Sequence, residues 1–427
     1  MPELDNYLED VCAHIKNRAV HDQVKEELRV HLEELFQEAL AAGNDEGEAA
    51  RQACRRLGEP GALGKELDRI HRLRTDRRFF ASLTLLSLLG LLVLYTAPGD
   101  TVALVLRRSA GTLLGLALVL WAPRLDYRRL LGAGKILFPA GLTLLALSTL
   151  GAQVPYGAAA WLFALGLLFT LLAWSGLLAE LNKSKQQDFF LALGYLALPV
   201  VALLAWEKVT PAAILALTSL ALLGRAGFSR RQTVLGMLSL VLLPGVAFLL
   251  LAAPYQLARL AAFLRPEAYA DGYGYVPLML RDYLGSGGIF GTGIGRVWNT
   301  LPPGGLYNEY ILAPFVQQTG LVGGLILMLA AGLFLGRLWR TAGRNNTGPG
   351  SLLLAGTAAF FAVRLVWNMG MISGLLPVTA VGLPFVSHDP AMSFLDFTLV
   401  ALAAGVLARS PRPAALPASE RGGNGHA

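Results

Sequence analysis

Long apolar segments constrain this chain more than any other feature. From Phe79 onward, ten of them alternate with short polar connections, and each is near the length needed to cross a bilayer. The bilayer core offers no water to bond the backbone, so a spanning segment has to satisfy its own N–H and C=O groups. The segments are therefore expected to be helices. The sequence therefore predicts an all-α, polytopic membrane protein with ten spans. The predicted spans are residues 79–97, 101–122, 133–151, 158–180, 188–205, 210–224, 232–253, 309–336, 351–373 and 393–408.

The distribution of Lys and Arg predicts the orientation. The net charge of +7 could suggest a nucleic-acid partner, but the basic residues lie in short segments between apolar runs. That placement is typical of topology signals in membrane proteins, so no nucleic acid is predicted. If the basic connections face the cytoplasm, both termini are cytoplasmic and the large connection 254–308 is extracytoplasmic. The only cysteines, Cys12 and Cys54, precede the first span and agree with a reducing compartment.

Residues 1–76 are predicted to form a small cytosolic helical bundle. The stretch HDQVKEELRVHLEELFQEALAAG repeats apolar residues every three to four positions and predicts an amphipathic helix ending at Gly43. The pattern that ends in LGEPGALGKEL resembles the helical prefix domains, HAAS-like in type, that precede bacterial membrane proteins. The membrane domain is predicted over residues 77–410, and residues 411–427 are predicted to be a disordered cytosolic tail.

A polar, glycine-rich and aromatic stretch, 271–324, interrupts the apolar pattern. Its glycines could lie against a ligand, and Arg281 and Arg296 supply charge for an anionic or hydroxylated substrate. Glu309 lies where this stretch meets the eighth span, near a helix N-terminus that favours negative charge. Two interpretations stay open for Glu309. It is either a helix-end residue only, or a general base toward a sugar hydroxyl.

Two motifs resemble a known family. GYGYVPLMLRDYLGSGGIFGTGIG and NMGMISGLLPVTAVGLPFVS are similar to stretches of the SEDS polymerases of bacterial cell walls, the FtsW, RodA and SpoVE family. The resemblance covers about residues 80–410. It implies a peptidoglycan glycosyltransferase that polymerises lipid II at the outer face of the bacterial cytoplasmic membrane. Counting back from QQTG places the essential Asp of the family at Glu309, which implies a catalytic role there.

The resemblance also implies ligands and partners. Lipid II, an undecaprenyl-pyrophosphate-linked disaccharide, is the implied substrate, and a class B penicillin-binding protein is the implied partner. Membrane lipids surround the spans. No metal site is assigned, and a divalent cation is the one cofactor left open. The candidate substrate-binding residues are Arg259, Arg281, Arg296, Asn368, Thr379 and Ser387. In the glycosyltransferase hypothesis Arg281 and Arg296 stand near the pyrophosphate, and Arg259 and Arg265 hold the loop or a lipid headgroup.

The chain departs from the family pattern at several polar positions. Glu309 stands where the family has Asp, and Val276 and Arg364 replace Gln residues. Three hypotheses therefore stay open: an active glycosyltransferase, a non-catalytic scaffold or regulator of cell-wall synthesis, and a transporter of lipid-linked sugars. Whether the process served is elongation, division or sporulation also stays open.

Overall fold

The structure, a computed structural model, describes residues 2–15, 21–71, 76–95, 102–124, 126–150, 156–294, 309–344, 348–387 and 389–409. Its regular elements are α-helices and short 3-10 turns, and these described ranges contain no β-strand. The prediction of an all-α protein is confirmed. The chain divides into an N-terminal unit and a larger unit over Asp76–Leu407, and each is described by itself.

The N-terminal unit is a bundle of four helices around its own apolar core. The core includes Val11, Phe36 and Ala49, which are at most 1% exposed. Asp45 caps the third helix, because its Oδ1 accepts the Glu48 N–H at 2.7 Å, a typical N-cap bond. The helices are α1 (Pro2–Ala13), α2 (His21–Ala41), α3 (Glu46–Leu57) and α4 (Pro60–His71).

The larger unit contains the apolar helices together with shorter ones at their ends. A helix lies within or across each of the ten predicted spans. The helices are α5 (Arg77–Tyr95), α6 (Val102–Trp121), α7 (Tyr127–Gly132), α8 (Gly134–Leu147), α9 (Tyr156–Glu180), α10 (Gln186–Ala205), α11 (Val209–Arg225), α12 (Arg230–Leu251), α13 (Pro254–Leu264), α14 (Tyr275–Gly287), α15 (Leu312–Arg344), α16 (Pro349–Ile372) and α17 (Pro390–Arg409).

Eight of these helices are long and apolar enough to cross a membrane, while α8 and α11 are apolar but shorter. The count of ten spans therefore stays a prediction. Helices α9, α16 and α17 are the most buried of the long ones, and α16 packs against α9, α11 and α15. The centre of this unit is thus built around α16, and its polar side chains are surrounded by protein.

The described part of the connection 254–308 contains two helices and a 3-10 turn. Helix α13 begins at Pro254, a residue favoured in the first helical turn, and the Gln256 Oε1 accepts the Ala253 N–H at 3.0 Å. A 3-10 turn, Pro266–Tyr269, leads to α14. Apolar residues at helical spacing therefore outweigh the glycines that suggested an irregular loop.

The glycines that follow α14 pack against α15. Gly291 (φ 83°) and Gly320 (φ 74°) both take left-handed backbone conformations. At Gly320 helix α15 is kinked, and the segment 288–293 pairs with it there. The Thr292 N–H donates to the Gln317 carbonyl at 2.9 Å and the Leu321 N–H to the Gly288 carbonyl at 3.1 Å. The backbone groups freed by the kink are thereby satisfied.

Candidate functional site

The connection between α16 and α17, residues 373–387, turns back at the end of α16 and runs alongside that helix. It is called the re-entrant segment below. Most of it is non-helical, and such backbone is tolerated at membrane depth only where protein buries and bonds it. Two side chains of α16 do so. Trp367 Nε1 donates to Thr379 Oγ1 at 2.8 Å, and Asn368 Nδ2 donates to the Val381 carbonyl at 2.6 Å.

Asn368 also fixes the position of Glu309. Its Nδ2 donates to the Glu309 carbonyl oxygen at 2.7 Å, and the Asn368 side chain is fully buried. Glu309 lies in the turn that precedes α15, which begins at Leu312, so its predicted place beside a helix N-terminus is observed. One amide therefore joins the backbone of Glu309 to the re-entrant segment.

The carboxyl of Glu309 lies in an environment that disfavours its charge. Burial raises its pKa most, its own backbone N–H lowers it, and the nearby Asp389 carboxylate raises it further. Asp389 Oδ1 accepts the Ala391 N–H at 2.9 Å and the Met392 N–H at 3.2 Å, so it caps α17. A carboxyl with a raised pKa is suited to take a proton in a reaction near neutral pH.

Arg259 brings positive charge to the neighbourhood of Tyr310, the residue that follows Glu309. Its guanidinium carbon lies 5.9 Å from the centre of the Tyr255 ring and 5.6 Å from that of Tyr273. The pKa of Tyr310 is raised to about 12 by burial and by the Glu309 charge, while Arg259 acts in the opposite direction. Arg259 is therefore close enough to Tyr310 for its charge to act there.

The other predicted site residues are less closely linked to Glu309. Arg281 Nη1 lies 3.4 Å from Glu267 Oε1 on an exposed surface. The Thr379 side chain is half-buried, and its hydroxyl oxygen accepts the hydrogen bond from Trp367 Nε1. The buried Ser387 Oγ accepts the Leu383 N–H. Arg296 lies outside the described residues. The structure thus joins Asn368 to the turn of Glu309 and Thr379 to Trp367 of α16, and the substrate contacts stay predictions.

Sequence reasoning did not identify the buried ion pair of Arg364 and Asp396. Arg364 Nη1 donates to Asp396 Oδ1, and both side chains are 2% exposed. A signal was present, because each charge lies inside a predicted span, where an ionisable residue needs a partner. The part of the chain that the structure describes contains no group of three or more His, Cys, Asp or Glu residues that could hold a metal ion.

The sequence matches the cell cycle protein family of FtsW, RodA and SpoVE over residues 76–406, well over half of the chain. This chain belongs to the FtsW, RodA and SpoVE family. A solved structure has a similar fold. A chain from a peptidoglycan synthase complex that coordinates polymerization and crosslinking superimposes with a TM-score of 0.62 at 25% identity, over 79% of this chain and 97% of that one.

Individual members of the FtsW, RodA and SpoVE family match over shorter stretches. Stage V sporulation protein E of Bacillus subtilis is 32% identical over 40% of this chain and 46% of its own length. A protein of Trichlorobacter lovleyi named "Probable peptidoglycan glycosyltransferase FtsW" is 28% identical over 52% of this chain and 60% of its own. The match thus spans about half the length of these relatives. With the long apolar helices, family membership makes this a multi-pass protein of the cytoplasmic membrane.

Proposed function

We propose that this protein is a peptidoglycan glycosyltransferase that polymerises lipid II at the outer face of the cytoplasmic membrane. The observation that carries the proposal is Glu309, a half-buried carboxyl with a raised pKa whose backbone is held by Asn368. It stands where the family resemblance locates the essential carboxylate. Relatives named as FtsW peptidoglycan glycosyltransferases support the same activity.

In the proposed reaction Glu309 acts as a general base. Its carboxylate takes the proton from a sugar hydroxyl of the acceptor as that oxygen attacks the anomeric carbon of the donor. The bond between that carbon and the pyrophosphate oxygen breaks, and undecaprenyl pyrophosphate leaves with the electron pair. An inverting displacement of this kind needs no covalent enzyme intermediate.

Arg259 is the described cation best placed to bind the pyrophosphate. Arg281 lies beside the Glu267 carboxylate, whereas the contacts of Arg259 are the rings of Tyr255 and Tyr273. Its charge acts on Tyr310, the residue next to Glu309. A guanidinium there would stabilise the charge that develops on the leaving group.

Polymerisation of purified lipid II by wild type, Glu309→Gln and Glu309→Asp tests the proposal. Glycan length would be resolved on a gel for each protein alone and with a class B penicillin-binding protein, the proposed partner. We expect polymer from the wild type and none from Glu309→Gln, which keeps the side-chain shape but cannot take the proton. Glu309→Asp shortens the side chain by one methylene, and such displacement of about 1 Å costs about a hundredfold in rate. Undiminished polymer from Glu309→Gln would refute the mechanism.

We propose the orientation in which both termini are cytoplasmic. A variant without Cys12 and Cys54 would receive single cysteines at the exposed positions of Glu33 and Asp271. A membrane-impermeant maleimide should label Asp271→Cys in intact spheroplasts and Glu33→Cys only after lysis. Labelling of Glu33→Cys in intact spheroplasts would show that the N-terminus has the opposite orientation.

A non-catalytic regulator is the second candidate function, and the separate core of the N-terminal unit favours it. A unit with a core of its own can bind a partner without taking part in chemistry. A regulator predicts that cells with Glu309→Ala resemble wild type while deletion of residues 1–76 impairs wall synthesis. The opposite pattern supports the glycosyltransferase.

A further inference from the structure

Arg364 and Asp396 form an ion pair inside the membrane unit, between α16 and α17. Removing two charges from water is costly, and well-packed apolar residues often stabilise a protein equally well. Stability alone is therefore a weak explanation for the pair. The other hydrogen bonds of the two side chains show which part of the chain they hold.

Each charged group binds its partner with one atom and the re-entrant segment with another. Arg364 Nη2 donates to the Gly382 carbonyl at 3.2 Å, and Asp396 Oδ2 accepts the Phe385 N–H at 3.4 Å. Gly382 and Phe385 both belong to the re-entrant segment. The ion pair thus fixes two points of that segment between the two helices.

Phe385 shows that the segment is held in a conformation it would not adopt alone. Its φ of 63° is left-handed, which is unfavourable for a residue other than glycine and persists only where the surroundings impose it. Its ring lies 5.4 Å from the ring of Phe334, 5.3 Å from Phe361 and 5.4 Å from Phe397. Packing on the ring and the Asp396 carboxylate on the backbone act together.

The contacts continue from the ion pair to the candidate catalytic turn. Arg364 lies eight residues before Ile372, where α16 ends, so the segment returns about 12 Å along the helix to reach it. Next to Gly382, the Val381 carbonyl is bound by Asn368, which also binds the Glu309 carbonyl. Every link in this series is a hydrogen bond or a peptide bond between described residues.

We propose that Arg364 and Asp396 are positioning residues, which fix the re-entrant segment and, through Asn368, the backbone of Glu309. Neither residue needs to touch substrate. The effect on the reaction rests on the proposed function, whereas the mechanical coupling between the ion pair and the Glu309 turn does not. The two parts can therefore be tested separately.

Hydrogen exchange on the full chain in nanodiscs tests the coupling. The variants are Arg364→Gln, Asp396→Asn and the double substitution, which leaves no unpaired charge and so protects the test against misfolding. Trp174→Phe is the matched control, because it removes another buried hydrogen bond, from Trp174 Nε1 to the Tyr195 carbonyl at 2.8 Å. We expect amides in 381–387 and 309–316 to exchange about tenfold faster in the folded Arg364 and Asp396 variants and at the wild-type rate in Trp174→Phe.

Two results would overturn the proposal. One is unchanged exchange in both regions for every folded variant. The other is faster exchange in 381–387 with unchanged exchange in 309–316, which would make the pair a support of the segment only. Either result decides the coupling whether or not the protein polymerises lipid II.

Steady-state kinetics tests the consequence for the reaction. In a polymerising wild type, the double variant should lower kcat per folded molecule about tenfold and leave KM within about twofold, because the pair acts on the base and not on the substrate. An unchanged kcat would remove the catalytic consequence. A wild type without activity would count against the proposed function, and the exchange data would still decide the coupling.

Discussion

The Asn368 side-chain nitrogen lies 2.7 Å from the carbonyl oxygen of Glu309, although the two residues are 59 positions apart. The same nitrogen lies 2.6 Å from the Val381 carbonyl. A single side-chain amide therefore links the backbone of the candidate base to the re-entrant segment. The contact is made to the backbone of Glu309, which leaves the carboxyl available for a proton.

Asn368→Leu should uncouple these elements. The substitution keeps roughly the size of the side chain but removes its N–H donors without burying a charge, so the Glu309 and Val381 carbonyls lose their partner. We expect the free energy of unfolding to fall by about 1–3 kcal/mol and polymerisation to fall at least about tenfold. Unfolding in mixed detergent micelles and the lipid II assay measure the two effects. Ser373→Ala, which removes a 3.2 Å bond to the Gly370 carbonyl, is the control and should change neither.

The pH dependence of the reaction should report the environment of Glu309. A general base works in its deprotonated form, so activity should fall as pH falls through the raised pKa of Glu309. Asp389 contributes to raising that pKa, and Asp389→Asn should therefore shift the acidic limb of the profile to lower pH. Asn is also a good N-cap, so α17 should keep its start.

A matched substitution distinguishes this effect from a general change in charge. Glu267→Gln removes an exposed carboxylate that pairs with Arg281 and is not among the groups that shift Glu309. Its acidic limb should coincide with that of the wild type. An acidic limb that stays in place or moves to higher pH in Asp389→Asn would show that Asp389 does not act on the base.

The long apolar segments allowed much of the fold to be predicted, and the reason is physical. A membrane leaves helices as the solution for long apolar runs, so each predicted span contains or overlaps a helix. The connection 254–308 was harder, because its glycines indicate a loop while Pro254 and the apolar spacing indicate a helix. Packing decides which of the two signals prevails, and the close approach of Gly291 to α15 is an example. The local sequence does not show which segments will pack together.

Single residues of the candidate site could be proposed from the sequence, whereas the contacts between them could not. Glu309 was proposed from its position in the chain, and Asn368 from a motif, and their roles stay predictions. The bond between them could not be deduced, because it links distant segments through a backbone carbonyl. The pairing of Arg364 with Asp396 likewise depends on how α16 and α17 face each other.

Arg259 should contribute to substrate binding. Arg259→Gln removes the cation while keeping a polar side chain between the Tyr255 and Tyr273 rings. Loss of a charge-assisted contact to pyrophosphate should raise KM for lipid II about tenfold, and kcat should fall less. Arg265→Gln, an exposed cation of the same connection, is the control. Equal kinetics for the two variants would mean that Arg259 serves the loop and not the substrate.

Gly320→Ala should destabilise the kink of α15. Gly320 has a φ of 74°, and a Cβ there would overlap the carbonyl oxygen of Ile289, which is backbone and cannot turn away. Backbone with a φ of 74° and a ψ of −179° is almost confined to glycine and costs an alanine about 1–3 kcal/mol, and the overlap adds to it. The segment 288–293 should therefore separate from α15, and the Glu309 turn, which precedes the same helix, should move with it.

Gly332→Ala is the matched control for the kink, because it changes a glycine of the same helix at which a Cβ would have no neighbour within 4 Å. There the added methyl should be neutral or should stabilise the helix by about 0.5–1 kcal/mol. The temperature of unfolding in detergent and the rate of lipid II polymerisation should both fall for Gly320→Ala. Both should stay near the wild-type values for Gly332→Ala. Similar behaviour of the two variants would mean that the kink at Gly320 is not required, and that α15 can hold Glu309 in place as a continuous helix.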